Sequence, residues 1–125
     1  PLTSDEWREI EKHPSAGRKI IEKTFLKDIG PIIEQHHERY DGKGYPFGLK
    51  GDEILIEARI ITVVDSFDAM GSDRPYRKAL TNDQVIAELK NCSGTQFDPK
   101  IVDALLSVLN SYPPGVKFSE YKIFF

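Results

Sequence analysis

Three histidines occur in the sequence, at positions 13, 36 and 37, and two of them are adjacent, directly ahead of a glycine-rich stretch. Imidazole titrates near neutrality and is a ready ligand for iron, zinc and other transition ions. Neighbouring residues on a helix point about 100° apart, so His36 and His37 at the end of a helix would each face a different ion. That pairing suggests a two-ion site, with a solvated helix end as the plain alternative. For His13 the plain alternative is a cation closing a helix C-terminus. Asp65 follows the apolar run Ile60-Ile61-Thr62-Val63-Val64, where an ionised carboxylate is expensive to bury unless it is paired or coordinated to a metal. A buried salt bridge or a cap is the alternative there, and Asp68, one turn on, shares its helical face. Between Ser72 and Lys78 the sequence sets Arg74, Arg77 and Lys78 in one turn-rich stretch. Arginine forks grip phosphate oxygens in pairs and a lysine adds a compact charge, against the alternative of an exposed basic turn pairing with local acids.

The elements that must position these groups read as helical. Thr3 with Glu6 makes a capping box ahead of Trp7 and Ile10, which predicts a short helix from Ser4 to Lys12, stopped by Pro14. Pro14 and Ser15 open a second helix carrying Ile20, Ile21 and Phe25, and Asp28 with Pro31 begins a third that ends near Arg39. His13 therefore sits at a helix junction. Residues 40–51 contain four glycines and Pro46, which predicts a structured loop. The stretch 53–70 is long enough to decide for a largely buried helix over a strand. Thr81 with Gln84 caps a further helix, and Asp98-Pro99 caps another that carries Ile101, Leu105 and Leu109. The tail 112–125 is aromatic and without a period, and Phe118, Tyr121, Ile123, Phe124 and Phe125 suggest an extended strap packed on the domain.

The bulk properties bound the function. A chain of 125 residues suits one globular domain with a single core. Seventeen basic residues against 20 acidic ones, for a net charge of -3, give no field that would hold DNA or RNA, so a bound nucleotide should be small and gripped locally. Cys92 is the only cysteine, so no internal disulfide forms, and no apolar run is long enough to insert in a membrane. A cytoplasmic location is the simplest expectation.

Taken together the motifs resemble the HD-GYP family, a branch of the HD-domain metal phosphohydrolases. The string His36-His37-Glu38-Arg39-Tyr40-Asp41-Gly42-Lys43-Gly44-Tyr45-Pro46-Phe47-Gly48-Leu49-Lys50-Gly51 is similar to the family signature HHExxDGxGYPxGLxG throughout. Upstream, Pro1-Leu2-Thr3 through Trp7 and His13-Pro14-Ser15-Ala16-Gly17 match two more segments. Downstream, the blocks at 64–70, 73–80 and 94–99 match three others, with Gly71 standing where a threonine or serine is expected. The resemblance implies an all-α, HD-domain-like helical bundle, here of five to six helices over residues 1–111, followed by the tail. It implies a metal-dependent phosphodiesterase of cyclic di-GMP in bacterial signal transduction, with iron or manganese held by His13, His36, His37 and Asp65. It further implies that Tyr45, Arg74 and Arg77 contact the cyclic dinucleotide, with Lys43 and Lys78 as weaker candidates, and that Gly44, Tyr45 and Pro46 form the GYP motif. No His-Asp pair occurs, so the expectation is a C-terminal portion lacking the HD segment. Such a piece would hold metal partially or not at all, hydrolyse poorly alone, and dimerise through faces the absent helices would cover. The alternative is a non-catalytic module that binds a cyclic dinucleotide or a partner, such as a GGDEF-type diguanylate cyclase domain, through the GYP loop.

Overall fold

The computed structural model describes residues 2–21 and 27–118, without the side chains of residues 17, 20, 21 and 27. Expectations for Ile20, Ile21, Phe25, Tyr121, Ile123, Phe124 and Phe125 therefore fall outside the described side chains. The described residues form six α-helices and no strand, which is the expected all-α class: α1 Ser4–Glu11, α2 His13–Ile21, α3 Gly30–Gln35, α4 Ile56–Met70, α5 Asn82–Asn91 and α6 Pro99–Asn110. Short 3-10 turns at Lys27–Ile29 and Gly51–Glu53 precede α3 and α4. The chain divides into two compact units, Pro1–Arg59 and Ile60–Phe125.

Local chemistry explains most boundaries. The Thr3 hydroxyl accepts from the Glu6 amide at 3.1 Å while the Glu6 carboxylate accepts from the Thr3 amide at 2.9 Å, so the capping box starts α1 as expected. Thr81 and Gln84 repeat the arrangement at α5, and the Asp98 carboxylate accepts the Lys100 amide at 2.9 Å ahead of Pro99 in α6. Caps of this kind each stabilise a helix by about 1 kcal/mol.

The third helix ends earlier than the sequence suggests. It stops at Gln35 with His36 as its C-cap, so Arg39 lies beyond it and His37 is outside the helix. The expectation that the two histidines diverge on a helix is corrected with it, since their ring centroids lie only 4.0 Å apart.

The second unit has its own core, built from Val63, Phe67 and Met70 of α4, Val85 and Leu89 of α5, Phe97, Val102, Leu105 and Leu109 of the α6 region, and Phe118. The spacing of 63, 67 and 70 puts one face of α4 inward. Asn82 anchors the segment after α6: its Nδ2 donates to the Val116 carbonyl and its Oδ1 accepts the Phe118 amide at 2.8 Å. The Phe118 ring then meets Phe67 and Tyr112 with centroids 6.1 and 6.2 Å away. No helix among the described residues is long and apolar enough to cross a membrane.

Candidate active site

In the first unit, the loop 40–51 is closed at its base. The Gly51 amide donates to the Tyr40 carbonyl at 3.0 Å, and Asp41 and Lys50 pair across the neck. Gly42 and Gly48 take φ of 82° and 69°, a left-handed backbone that residues with a Cβ rarely adopt. Asp41 holds the first turn: its carboxylate accepts from Arg39 Nε at 3.2 Å, from Arg39 Nη2 at 3.0 Å and from the Lys43 amide at 3.0 Å. The guanidinium of Arg39 keeps the Asp41 carboxyl below its ordinary value of 3.8, partial burial opposes it, and the Lys43 amide assists.

A pH dependence follows. Because folding favours the ionised form, this stabilisation is complete above the unfolded-state value and is lost as pH falls through the lower folded-state value. We expect the Lys43 amide to lose protection from solvent exchange only below about pH 4, and Asp41→Asn to abolish that acid step. A Lys43 amide already exposed at pH 6 would contradict this account.

Glu38 is the least conspicuous part of the site by sequence and the most buried. Its side chain is only 2% exposed, and its two carboxylate oxygens accept the Phe47 amide at 2.7 Å and the Leu49 amide at 2.8 Å. Gly44 lies so close to the preceding turn that a Cβ there would fall within 3.0 Å of the Arg39 nitrogen, the His37 oxygen and the Glu38 carbonyl carbon. The Tyr45 amide then donates to the His37 carbonyl at 3.3 Å, and the Tyr45-Pro46 bond is cis. The Tyr45 ring stacks on the His37 imidazole, with centroids 5.2 Å apart and planes within 17°. Burial raises the Tyr45 phenol above its ordinary value of 10, with the Glu11 charge adding to it, so at neutral pH Tyr45 is a hydrogen-bond donor.

His13, the first residue of α2, His37 and Tyr45 line one cavity of about 540 Å³ together with Glu9 and Ile10 of α1. Two sequence blocks 24 residues apart are thereby brought to one place. The sequence patterns mark Ile10 only as an apolar helix position and do not mark Glu9, which pairs with exposed Lys12 at 2.9 Å. His36 stands beside His37, and its Nδ1 meets the Ile33 carbonyl at 2.5 Å. Such a tie orients an imidazole. Lys43 is exposed on the loop.

The remaining candidates lie in the second unit. Asp65 is exposed on α4, so the expectation of a carboxylate buried in an apolar helix is corrected: α4 buries Val63, Val64, Phe67 and Met70 and turns Asp65 and Asp68 outward. Arg74 and Arg77 face each other across a tight turn with mutual backbone hydrogen bonds at 2.6 and 3.1 Å, which the Asp73 carboxylate closes by accepting the Ala79 amide at 2.7 Å. Arg74, Lys78 and Tyr76 are exposed, Tyr76 by 83%. Arg77 is half-buried and donates to the Lys78 carbonyl at 3.1 Å and the Ala69 carbonyl at 3.3 Å, tying the turn to the last residues of α4.

The donors present suit a transition ion in kind, since imidazole nitrogens predominate. They do not suffice in number: among the described residues no three His, Cys, Asp or Glu side chains stand together as a metal-holding group. The described side chains therefore do not make a complete metal centre by themselves.

Comparison with known proteins bears on identity. The family model described as "HD domain" matches residues 1–101. The chain is 46% identical over 108 residues to the cyclic di-GMP phosphodiesterase response regulator RpfG of Xanthomonas campestris, covering 84% of this chain and 29% of that protein. It is 39% identical over 113 residues to the 3'3'-cGAMP-specific phosphodiesterase 3 of Vibrio cholerae, covering 90% and 25%. The crystal structure of a cyclic GMP-AMP-specific phosphodiesterase of V. cholerae superimposes with a TM-score of 0.73 at 22% identity, over 88% of this chain and 26% of that one, a likeness of fold. The chain thus spans under a third of the length of these relatives. With its HHExxDGxGYPxGLxG loop folded over His37 and its sequence matched from residue 1 to residue 101, the chain belongs to the HD-domain family, in the HD-GYP branch.

Proposed function

We propose that this chain is part of a metal-dependent phosphodiesterase that acts on a cyclic dinucleotide, of the cyclic di-GMP or 3'3'-cGAMP kind. The observation that carries the reading is the cavity shared by His13, His37 and Tyr45, in a family whose phosphodiesterases depend on metal. When bound, a divalent ion supplies an activated water and neutralises charge developing on the phosphodiester. The proposed ligands are His13, His36 and His37, with Asp65 assigned by its match to the family motif, and iron or manganese is the proposed metal. The protonated Tyr45 phenol would donate to a phosphate oxygen, or its ring would stack on a base. Arg74, with an exposed side chain on a hydrogen-bonded turn, is the proposed phosphate clamp, and Arg77, Lys43 and Lys78 are proposed as further nucleotide contacts. Location in the cytoplasm and a GGDEF-type partner belong to the same proposal.

Metal and nucleotide binding test it. The purified chain is expected to take up no more than one equivalent of iron or manganese per chain, weakly, and His37→Ala to take up less. Cyclic di-GMP or 3'3'-cGAMP should bind with heats that Arg74→Ala reduces by roughly tenfold or more in affinity, the scale of a lost charge-assisted hydrogen bond. Arg77→Ala should instead lower the thermal midpoint of the second unit, because its guanidinium serves two carbonyls within the fold. Equal nucleotide heats for the wild type and Arg74→Ala would remove the clamp, and no uptake of any divalent ion by any histidine would remove the metal reading.

A further inference from the structure

The Phe47 and Leu49 amides lie in a tight loop, outside any helix or strand. A glycine-rich loop lacks the regular ladder that would pair its backbone groups, so an acceptor must come from elsewhere. Here it comes from Glu38, whose two carboxylate oxygens take one amide each, from residues nine and eleven positions further along. Those two amides flank the tip: Phe47 follows Pro46, and Leu49 follows Gly48 at its left-handed φ. Glu38 itself is not among the residues lining the cavity. Its neighbour in sequence is, since His37 precedes it and the His37 carbonyl receives the Tyr45 amide.

We infer that Glu38 is the positioning residue of this site: by clamping Phe47 and Leu49 it holds the loop back on the end of α3 and so keeps the Tyr45 ring stacked on the His37 imidazole. The role rests on the proposed nucleotide site only for its purpose. The linkage is physical. The carboxylate is an acceptor at both oxygens, the geometry of both bonds is short and direct, and a buried anion that accepts two strong bonds from amides fixes both amides relative to itself. His37 and Tyr45 ride on the two ends of that clamp. An imidazole stacked on a phenol is restricted in rotation, so a ligand reaching His37 meets a ring already in place.

Glu38→Gln is the informative substitution, being equal in shape. Its amide oxygen accepts one of the two N–H groups, and its NH2 then faces the other, donor against donor. In solution NMR on the full chain, the Phe47 or Leu49 amide should exchange with solvent at least about tenfold faster than in the wild type. The His37 ring protons should also lose the upfield displacement that the Tyr45 ring imposes, moving to the positions they take in Tyr45→Leu. Tyr45→Phe keeps the stack and should keep the displacement. The wild-type chain offers a reading that needs no variant: through-hydrogen-bond couplings from the Phe47 and Leu49 nitrogens to the Glu38 carboxyl carbon are expected. Their absence, or unchanged His37 ring shifts in Glu38→Gln, overturns the assignment. Cyclic dinucleotide titration of the same samples separates the two proposals. Clamp signals present without any nucleotide binding support the positioning role and refute the nucleotide reading, whereas absent clamp signals refute the positioning role whatever the nucleotide does.

Discussion

Gly44→Ala is expected to dismantle the loop of the first unit, destabilising its native arrangement on the order of 3 kcal/mol, a large value for one methyl group. The cause is not conformational freedom. Gly44 does not take a positive φ, so left-handed strain is not the obstacle. The obstacle is contact: the added Cβ would stand within 3.0 Å of three backbone atoms of residues 37–39, and no rotamer change relieves a clash with main chain. The loop must lift, which separates the Tyr45 amide from the His37 carbonyl and parts the two rings. Gly51→Ala is the control, since its Cβ meets nothing within 4 Å and only its φ of 58° resists; about 1 kcal/mol is expected there. Chemical denaturation followed by the Trp7 signal, with amide exchange at residues 45–49, measures both. If Gly44→Ala proved no more damaging than Gly51→Ala and kept the Tyr45 amide protected, the close approach would be wrong.

Phe97→Ala should cost the second unit about 3–5 kcal/mol, the range for a buried aromatic cut to alanine. Phe97 is 2% exposed and lies in the same core cluster as Leu89 and Val102. Its amide donates to the Cys92 carbonyl at 3.1 Å and its carbonyl accepts from the Gly94 amide at 2.8 Å. The next residue, Asp98, is the buried cap of α6. The block Gly94-Thr95-Gln96-Phe97-Asp98-Pro99 thus works as a hinge pin: one side chain enters the core while the next starts a helix. Lys100→Ala, two residues beyond the cap and exposed, should change stability by less than about 0.5 kcal/mol. Urea unfolding monitored on the amide signals of α5 and α6 compares the two. A Phe97→Ala midpoint indistinguishable from that of Lys100→Ala would refute the core assignment.

The family assignment and the starts of α1, α5 and α6 could be read from the sequence, because both depend on residues near one another in the chain. A capping box closes within four residues, so Thr3 with Glu6 and Thr81 with Gln84 carry their own structure wherever the fold places them. The glycine-rich stretch 40–51 likewise announces a loop by composition alone. Four matters needed the tertiary structure. Helix α3 ends at Gln35 rather than near Arg39, because Glu38 is drawn to amides at 47 and 49, and no helical periodicity encodes that demand. A sign of it was nonetheless present, an acid set just before a loop whose backbone has no helix or ladder to pair it. Asp65 points outward, since an apolar stretch fixes which positions of a helix turn inward only once its neighbours are known. Arg77 spends its guanidinium on carbonyls at 69 and 78, a bond across the turn that residue type alone leaves open. Glu9 and Ile10 join His13, His37 and Tyr45 at one cavity only because α1 and the loop fold together. Short-range hydrogen bonds are written locally and survive translation from sequence to structure. Contacts between distant segments are decided by packing, where each surface is selected by the one it meets.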